Sequence, residues 1–332
     1  MKKTLIALAV LGATAGVAHA QSNVTVYGIV DTGFVKETGS KVYMNEKVNN
    51  RLGFRGVEDL GGGLKATFEL EKRFNLFNGA TRGGAGEEFD GASNVGLAGS
   101  FGAVRFGRVN ELSTETYRTL DPFNQYGVGG GFESPLRSAR ISSTTRYDSP
   151  SFAGFSAGVS YTLKNQTGAS SDVVFPATAA GAAAALLAGE GAASNDGYAV
   201  SLKYLNGPIV ALANYNRAAN TNDSYNWNVG GAYSFGPAKV SLGYEKTNVS
   251  PVGAADVEVK AVLVGLSYNI GAGTINASYN QAKVEDAKDK QYALGYTHNL
   301  SKRTAAYLDV ARLTPDAGDK VNAVQIGMTH KF

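Results

Sequence analysis

Cysteine is absent from all 332 residues, so neither a disulfide nor a thiolate metal site can hold this fold. Histidine is nearly absent too, with three in the chain. One of them, His19, lies in the N-terminal leader described below. His298 and His330 remain, and neither sits in a motif pairing a nucleophile with an oriented base. No Gly-x-Ser-x-Gly elbow occurs, and Gly127-Val-Gly-Gly-Gly lacks the strand–helix setting of a phosphate loop. Composition therefore points away from catalysis and from any cofactor or metal. Also lacking, beyond the first twenty residues, is an apolar run of the ~20 residues that a spanning helix needs. If this chain enters a membrane it must do so as a closed β-barrel, because only helices and barrels satisfy every backbone group in lipid. An excess of one charge is missing as well. Lys+Arg number 31 and Asp+Glu 28; without Lys2 and Lys3 the balance is 29 against 28, or +1. Such a chain has no general field for nucleic acid, and any ion preference must come from local placement.

The leader accounts for the two lysines just removed. Met1-Lys2-Lys3, the apolar Leu5 to Val17, and Ala18-His19-Ala20 have the basic, apolar and small-x-small regions of a secretory signal. The expected division is a cleaved signal over 1–20 and an outer-membrane barrel over 21–332. The remainder is rich in Gly (42), Tyr (17) and Phe (15), a composition suited to many strands, tight turns and aromatic girdles.

Alternation bears this out along the chain. From Leu64 to Arg73, Leu64, Ala66, Phe68 and Leu70 share one face, while Lys65, Thr67, Glu69, Glu71 and Arg73 share the other. That is the period of a strand with one wet face, at the length a tilted strand needs to cross a bilayer. Comparable segments recur from Val24–Thr32 to Ala323–Phe332, roughly sixteen in all. Their connections alternate. Tight ones, such as Gly61-Gly62-Gly63 and Asn206-Gly207-Pro208, alternate with longer polar ones around 33–49, 75–90, 109–139 and 164–197. Short turns at one rim and long loops at the other are the pattern of an antiparallel transmembrane β-barrel. The fold class expected is therefore all-β, with about 16 strands. An alanine-rich stretch over 176–193 reads as an insertion in an external loop.

The pattern breaks longest between Arg108 and Arg140, where some thirty residues carry aromatics and both charge signs. Loops of that length inside a compact domain are uncommon and usually functional. The expectation is that this loop folds into a pore and narrows it.

Several segments resemble those of Gram-negative general porins of the β-proteobacterial type. They are Val24-Thr-Val-Tyr-Gly-Ile-Val-Asp, Arg51-Leu-Gly-Phe-Arg-Gly, Val95-Gly-Leu, Phe106-Gly-Arg-Val and Arg146-Tyr-Asp-Ser-Pro-Ser-Phe-Ala-Gly. The C-terminus, with Val324, Ile326 and Met328 at alternate places before Phe332, resembles the signal read by the outer-membrane assembly machinery. The resemblance implies a homotrimer among outer-membrane lipids and lipopolysaccharide, passive diffusion of ions and small polar solutes, and a long third loop folded into the lumen. It also implies that the loop near 75–90 reaches a neighbouring subunit. Arg51 and Arg140 match wall arginines of the family's constriction, and Asp121 matches an acid of its inward loop. Gly91 stands where the family often carries a further arginine.

Arginine suits a filter wall because it stays ionised and is weakly hydrated, and basic rings favour anions. Arg51, Arg55, Arg140 and Arg146 lie on the polar parity of their strands, so they form the candidate wall. Glu111, Glu115, Asp121 and Glu133 are the candidate acids of the loop, which also carries Arg118 and Arg137. Arg55 and Arg146 suit loop anchoring equally well, and Tyr117 and Tyr126 are expected to pack the loop on the wall. The arginines are placed more firmly than the acids, so the expected lean is toward anions. A substrate-specific channel and an adhesive barrel remain as alternatives.

Overall fold

A computed structural model describes residues 23–83, 88–132, 134–136, 139–164, 195–219, 221–251 and 255–332. The insertion over 176–193, Glu133 and Arg137 lie outside the described residues. Seventeen strands are described. In the first half they are β1 (Asn23–Glu37), β2 (Tyr43–Asn45), β3 (Arg51–Gly61), β4 (Leu64–Arg73), β5 (Ser93–Gly99), β6 (Gly102–Asn110), β7 (Arg140–Asp148) and β8 (Phe155–Thr162). The second half holds β9 (Gly197–Asn206), β10 (Ile209–Arg217), β11 (Tyr225–Phe235), β12 (Ala238–Val249) and β13 (Val257–Ile270). It closes with β14 (Gly273–Val284), β15 (Ala287–Asn299), β16 (Thr304–Thr314) and β17 (Val321–Lys331).

These strands pair antiparallel in one sheet that closes on itself, β1 meeting both β3 and β17. Because β2 is a three-residue ribbon on the end of β1, sixteen strands span the wall. Closure matters in lipid, where an open edge would leave its N–H and C=O groups unsatisfied. The last residue completes it: Phe332 and Gly28 exchange two backbone bonds of 3.1 Å each. The Phe332 ring lies where a Gly28 side chain would stand.

The wall is inverted relative to a soluble domain. Leu52, Phe54, Val95, Leu97, Val200, Leu202, Leu242, Val264, Leu294 and Ile326 are exposed on the outside, and intervening polar residues such as Asn214, Asn228, Glu245 and Asn280 are buried inside. One difference from the expected boundaries lies at the start. β1 runs to Glu37 rather than ending near Thr32, because its second half pairs with β17 from Ile29↔Lys331 to Glu37↔Ala323. Val35, an apolar residue fully buried on the inward side, hides the alternation there. At the short rim, Gly61, Gly62 and Gly63 all take positive φ (86°, 60° and 81°), which a side chain would strain.

Candidate functional site: the loop-lined lumen

The long loop starts as a helix because its first residue supplies the cap. Glu111 is extended, and its carboxylate accepts from the N–H of Ser113 at 2.9 Å and of Thr114 at 2.6 Å. A helix start leaves such donors without intrahelical partners. The helix, α1 (Leu112–Tyr117), runs into a 3-10 turn over Arg118–Leu120.

From there the loop lies along the inner wall on a row of glycines. A Cβ on Gly158 of β8 would meet Leu112 at 2.6 Å, one on Gly243 of β12 the Tyr117 hydroxyl at 2.6 Å, and one on Gly265 of β13 Pro122 at 2.6 Å. On Gly295 of β15 it would meet Phe123 at 2.7 Å, and Gly230 of β11 stands likewise under Leu120. Each follows or precedes an exposed apolar residue on its strand (Val159, Val229, Leu242, Val264 or Leu294), so each faces inward. Hydrogen bonds reinforce this seat. Thr116 bonds Asn214 at 3.0 Å, Ser241 donates to the Leu120 carbonyl at 2.5 Å, and Ser134 meets Thr247 at 2.5 Å. At the far end Val128 N–H donates to Gln325 at 3.1 Å, and Gln291 donates to the Val128 carbonyl at 3.0 Å. The loop therefore covers the wall from β8 round to β17.

The wall outside that span, on β3, β4 and β7, carries the arginines, of which Arg73 and Arg140 are buried and Arg51 is partly exposed. Arg73 grips Glu71 with two bonds of 3.0 and 2.9 Å, Arg140 lies 3.4 Å from the same oxygen, and Arg51 lies 3.7 Å from the other. Three guanidiniums around one carboxylate leave two net positive charges. Register explains the cluster, since the glycine turn sets Arg51 opposite Arg73 and Gly53 opposite Glu71. Gly91 has a structural use here: a Cβ would lie 2.5 Å from Glu71 Oε1, so its absence makes room for the shared acid. Arg108 donates to the Gly91 carbonyl at 3.1 Å. Arg73, which lies on the polar face of its strand and had no role assigned from the sequence, joins Arg51 and Arg140 in this cluster.

The loop answers with a cation. Arg118 donates to Gln125 at 3.4 Å and stacks 5.3 Å from the Tyr126 ring. Burial would raise the Tyr126 phenol, but Arg118, Arg51 and Arg73 converge on it and bring it below the usual range. Above them Arg82 pairs with Glu46 and donates to Asn49 at 2.9 Å. A cavity of about 920 Å³ opens between these groups and the 311–325 wall, with Arg82, Arg118 and Tyr126 in its lining.

The three candidate acids among the described residues, Asp121, Glu111 and Glu115, are all engaged in holding the loop. Asp121 is buried, and its carboxylate accepts from the N–H of Phe123, Gln125 and Gly131 at 2.9, 2.9 and 2.8 Å. It staples the loop to itself. Glu111 is spent on the helix cap. Glu115 pairs with Arg146 at 2.8 Å while staying 45% exposed to the lumen. Arg146 is in turn held by Asp148 at 2.7 Å and by the Asn110 carbonyl at 2.8 Å, so it pins the loop rather than joining the Arg51 cluster. Arg55 stands apart, 5.2 Å from the Tyr27 ring. Tyr117 packs on the wall as expected, whereas Tyr126 turns toward Arg118 and Arg51.

A closed barrel of this strand number with such a loop has known relatives. A profile of Gram-negative porins matches residues 7–318. The chain belongs to that family. It is 33% identical to outer membrane porin protein 32 of Delftia acidovorans and 30% identical to an outer membrane porin protein of Bordetella pertussis, each over the full length of both chains. Among solved structures, an anion-selective porin from Comamonas acidovorans superposes with a TM-score of 0.80 at 27% identity, covering 94% of this chain and all of its own. A trimer form of an outer membrane protein of Vibrio cholerae, at 15% identity and a TM-score of 0.69, shares the fold. The protein is thus an outer-membrane porin, and the proteins of its family are channels rather than enzymes.

Proposed function

We propose that this porin passes small hydrophilic solutes passively and favours anions. The carrying observation is the convergence of Arg51, Arg73 and Arg140 on the single carboxylate of Glu71, with Arg118 of the loop stacked on the Tyr126 ring. In bulk water a unit charge at about 4 Å is worth about 1 kcal/mol, so two net charges at a narrow point are enough to sort ions by sign. The acids that would oppose them are occupied in holding the loop. The anion selectivity named for the Comamonas relative agrees with this reading.

The other elements of the proposal rest on family membership. Residues 1–20 act as the cleaved signal, Phe332 is read by the assembly machinery, and three copies associate in the outer membrane. A trimer form among the structural neighbours supports the last. Single-channel conductance in two salts tests the ion preference. A pore carrying its current on the anion conducts better in lithium chloride than in potassium acetate. The reverse order would overturn the proposal.

A further inference from the structure

On the outer face of the barrel, four lysines stand side by side across four neighbouring strands. Register pairs Lys246 of β12 with Lys260 of β13, Lys260 with Lys283 of β14, and Lys283 with Lys288 of β15. All four share the outward parity of Leu242, Val264, Ile275 and Leu294. Strands lie about 4.8 Å apart, so the row extends roughly 14 Å. Lys290 of β15 follows on the same face one pleat nearer the barrel's middle, and Arg312 of β16 two pleats nearer, opposite Tyr292. Like charges set directly opposite one another across strands are destabilising, and this row makes three such pairs in succession. Two carboxylates temper it: Glu258 pairs with Lys246 and Lys260, and Asp286 lies 3.8 Å from Lys283. With Asp256 and Glu285 at the same strand ends, six cations face four acids and the patch stays net positive.

Its height on the wall selects the partner. The row lies at the long-loop end, which faces outward from the cell in such barrels. Rings border it: Trp227 lies opposite Lys246 and packs 5.4 Å from Tyr244, two residues below Lys246, while Tyr279 and Tyr292, 5.1 Å apart, stand four residues below Lys283 and Lys288. Below the rings the outward positions are aliphatic, with Leu242, Val264, Leu266 and Leu294 exposed. Tyrosine and tryptophan mark the level where hydrocarbon gives way to headgroups. Residues two to four positions above that level therefore meet phosphates rather than acyl chains. A row of like charges is also unable to pair with a second copy of itself.

We propose that the face formed by Lys246, Lys260, Lys283, Lys288, Lys290 and Arg312 is a binding site for a lipid of the external leaflet whose headgroup carries two or more phosphates. The acyl chains lie on the aliphatic wall of β12–β15, and the phosphates offset the repulsion along the row. This rests on the outer-membrane orientation of the barrel and is independent of the pore's ion preference.

The test titrates the purified, channel-forming porin with bisphosphorylated lipid A, with the same lipid stripped of phosphate, and with inorganic phosphate, counting bound molecules by native mass spectrometry. Lys260→Gln with Lys283→Gln removes two adjacent charges and leaves shorter polar side chains. Lys36→Gln with Lys72→Gln removes two outward lysines elsewhere on the rim as the control. The expected result is at least tenfold weaker binding of the bisphosphorylated lipid to the first variant, with the control unchanged and single-channel conductance the same in both. Equal binding to wild type and first variant would overturn the site. So would equal loss in the control, or phosphate-free lipid binding as tightly as the phosphorylated form. Displacement of the lipid by equimolar inorganic phosphate would assign the patch to free anions instead and overturn the lipid. Should the first variant yield no channels, the wild type still decides. Binding that weakens as salt rises from about 50 to about 500 mM supports the site, and salt-independent binding refutes it.

Discussion

Gly265→Ala tests whether the loop is seated by glycines, because its neighbour there cannot swing aside. The added Cβ would stand 2.6 and 2.7 Å from Cδ and Cγ of Pro122. Carbon atoms in contact rest at about 3.5–4.0 Å, so about 1 Å of separation must be found. A proline ring has no rotamer with which to retreat, and φ is fixed by the ring. The loop backbone must move, and with β13 behind it the free direction is into the lumen. The same Cβ would crowd Ser241, whose hydroxyl holds the Leu120 carbonyl at 2.5 Å. Overpacking of this kind costs about 1–3 kcal/mol. The expected outcome is a barrel that still folds and inserts, with lower single-channel conductance and a lower thermal midpoint. Unchanged conductance together with an unchanged midpoint would show that the loop does not rest on this wall.

The remaining expectations concern the charges. Asp121→Asn should loosen the loop, because one amide oxygen cannot serve the three N–H groups of Phe123, Gln125 and Gly131. Each donor left unsatisfied costs about 1–3 kcal/mol, so increased current noise and faster proteolysis within the loop are expected, with the sign of selectivity unchanged. Partial burial would raise the Glu115 carboxyl, but the ion pair and hydrogen bonds of Arg146, aided by Arg105, outweigh it and hold the group below the ordinary carboxylate value. Its contribution is therefore complete above the ordinary value near ~4.3 and is lost as pH falls through the lowered one. Wild-type channels should destabilise in that acid window, and Glu115→Gln should already behave above it as wild type does below it, with a flatter pH profile.

Much of the barrel was legible because its two faces meet different solvents. From Leu64 to Leu70 apolar residues alternate with polar ones, until Lys72 puts a charge on the outer face, and the structure ends that strand at Arg73. β1 was less legible past Thr32, since Val35 is buried inside while Phe34 is exposed outside, and period two vanishes where both faces take apolar residues. The site divides along the same line. Arg51 and Arg140 could be placed by parity, and Arg73 was reachable by counting back from Gly61-Gly62-Gly63, which sets it opposite Arg51. The loop acids could not be placed by parity, because a loop has no period. Their roles lie in short-range backbone capture instead. Glu111 before Leu-Ser-Thr has the form of a helix cap, and Asp121 before Pro-Phe-Asn that of a turn, so the local chemistry was on view although the direction of the carboxylates was not. The glycine row was invisible for another reason. Gly158, Gly230, Gly243, Gly265 and Gly295 lie on five different strands and align only when the barrel closes.

Ion preference is where the arginine wall and the occupied loop acids have their plainest consequence. The direct measurement is the zero-current potential across a planar bilayer holding the porin between concentrated and dilute potassium chloride. Chloride moving ahead of potassium makes the dilute compartment negative, and that is the sign predicted for the wild type. In Arg51→Ala with Arg140→Ala the potential should shrink toward zero. A dilute compartment that turns positive in the wild type, or a potential that the paired substitutions leave unmoved, would contradict the account.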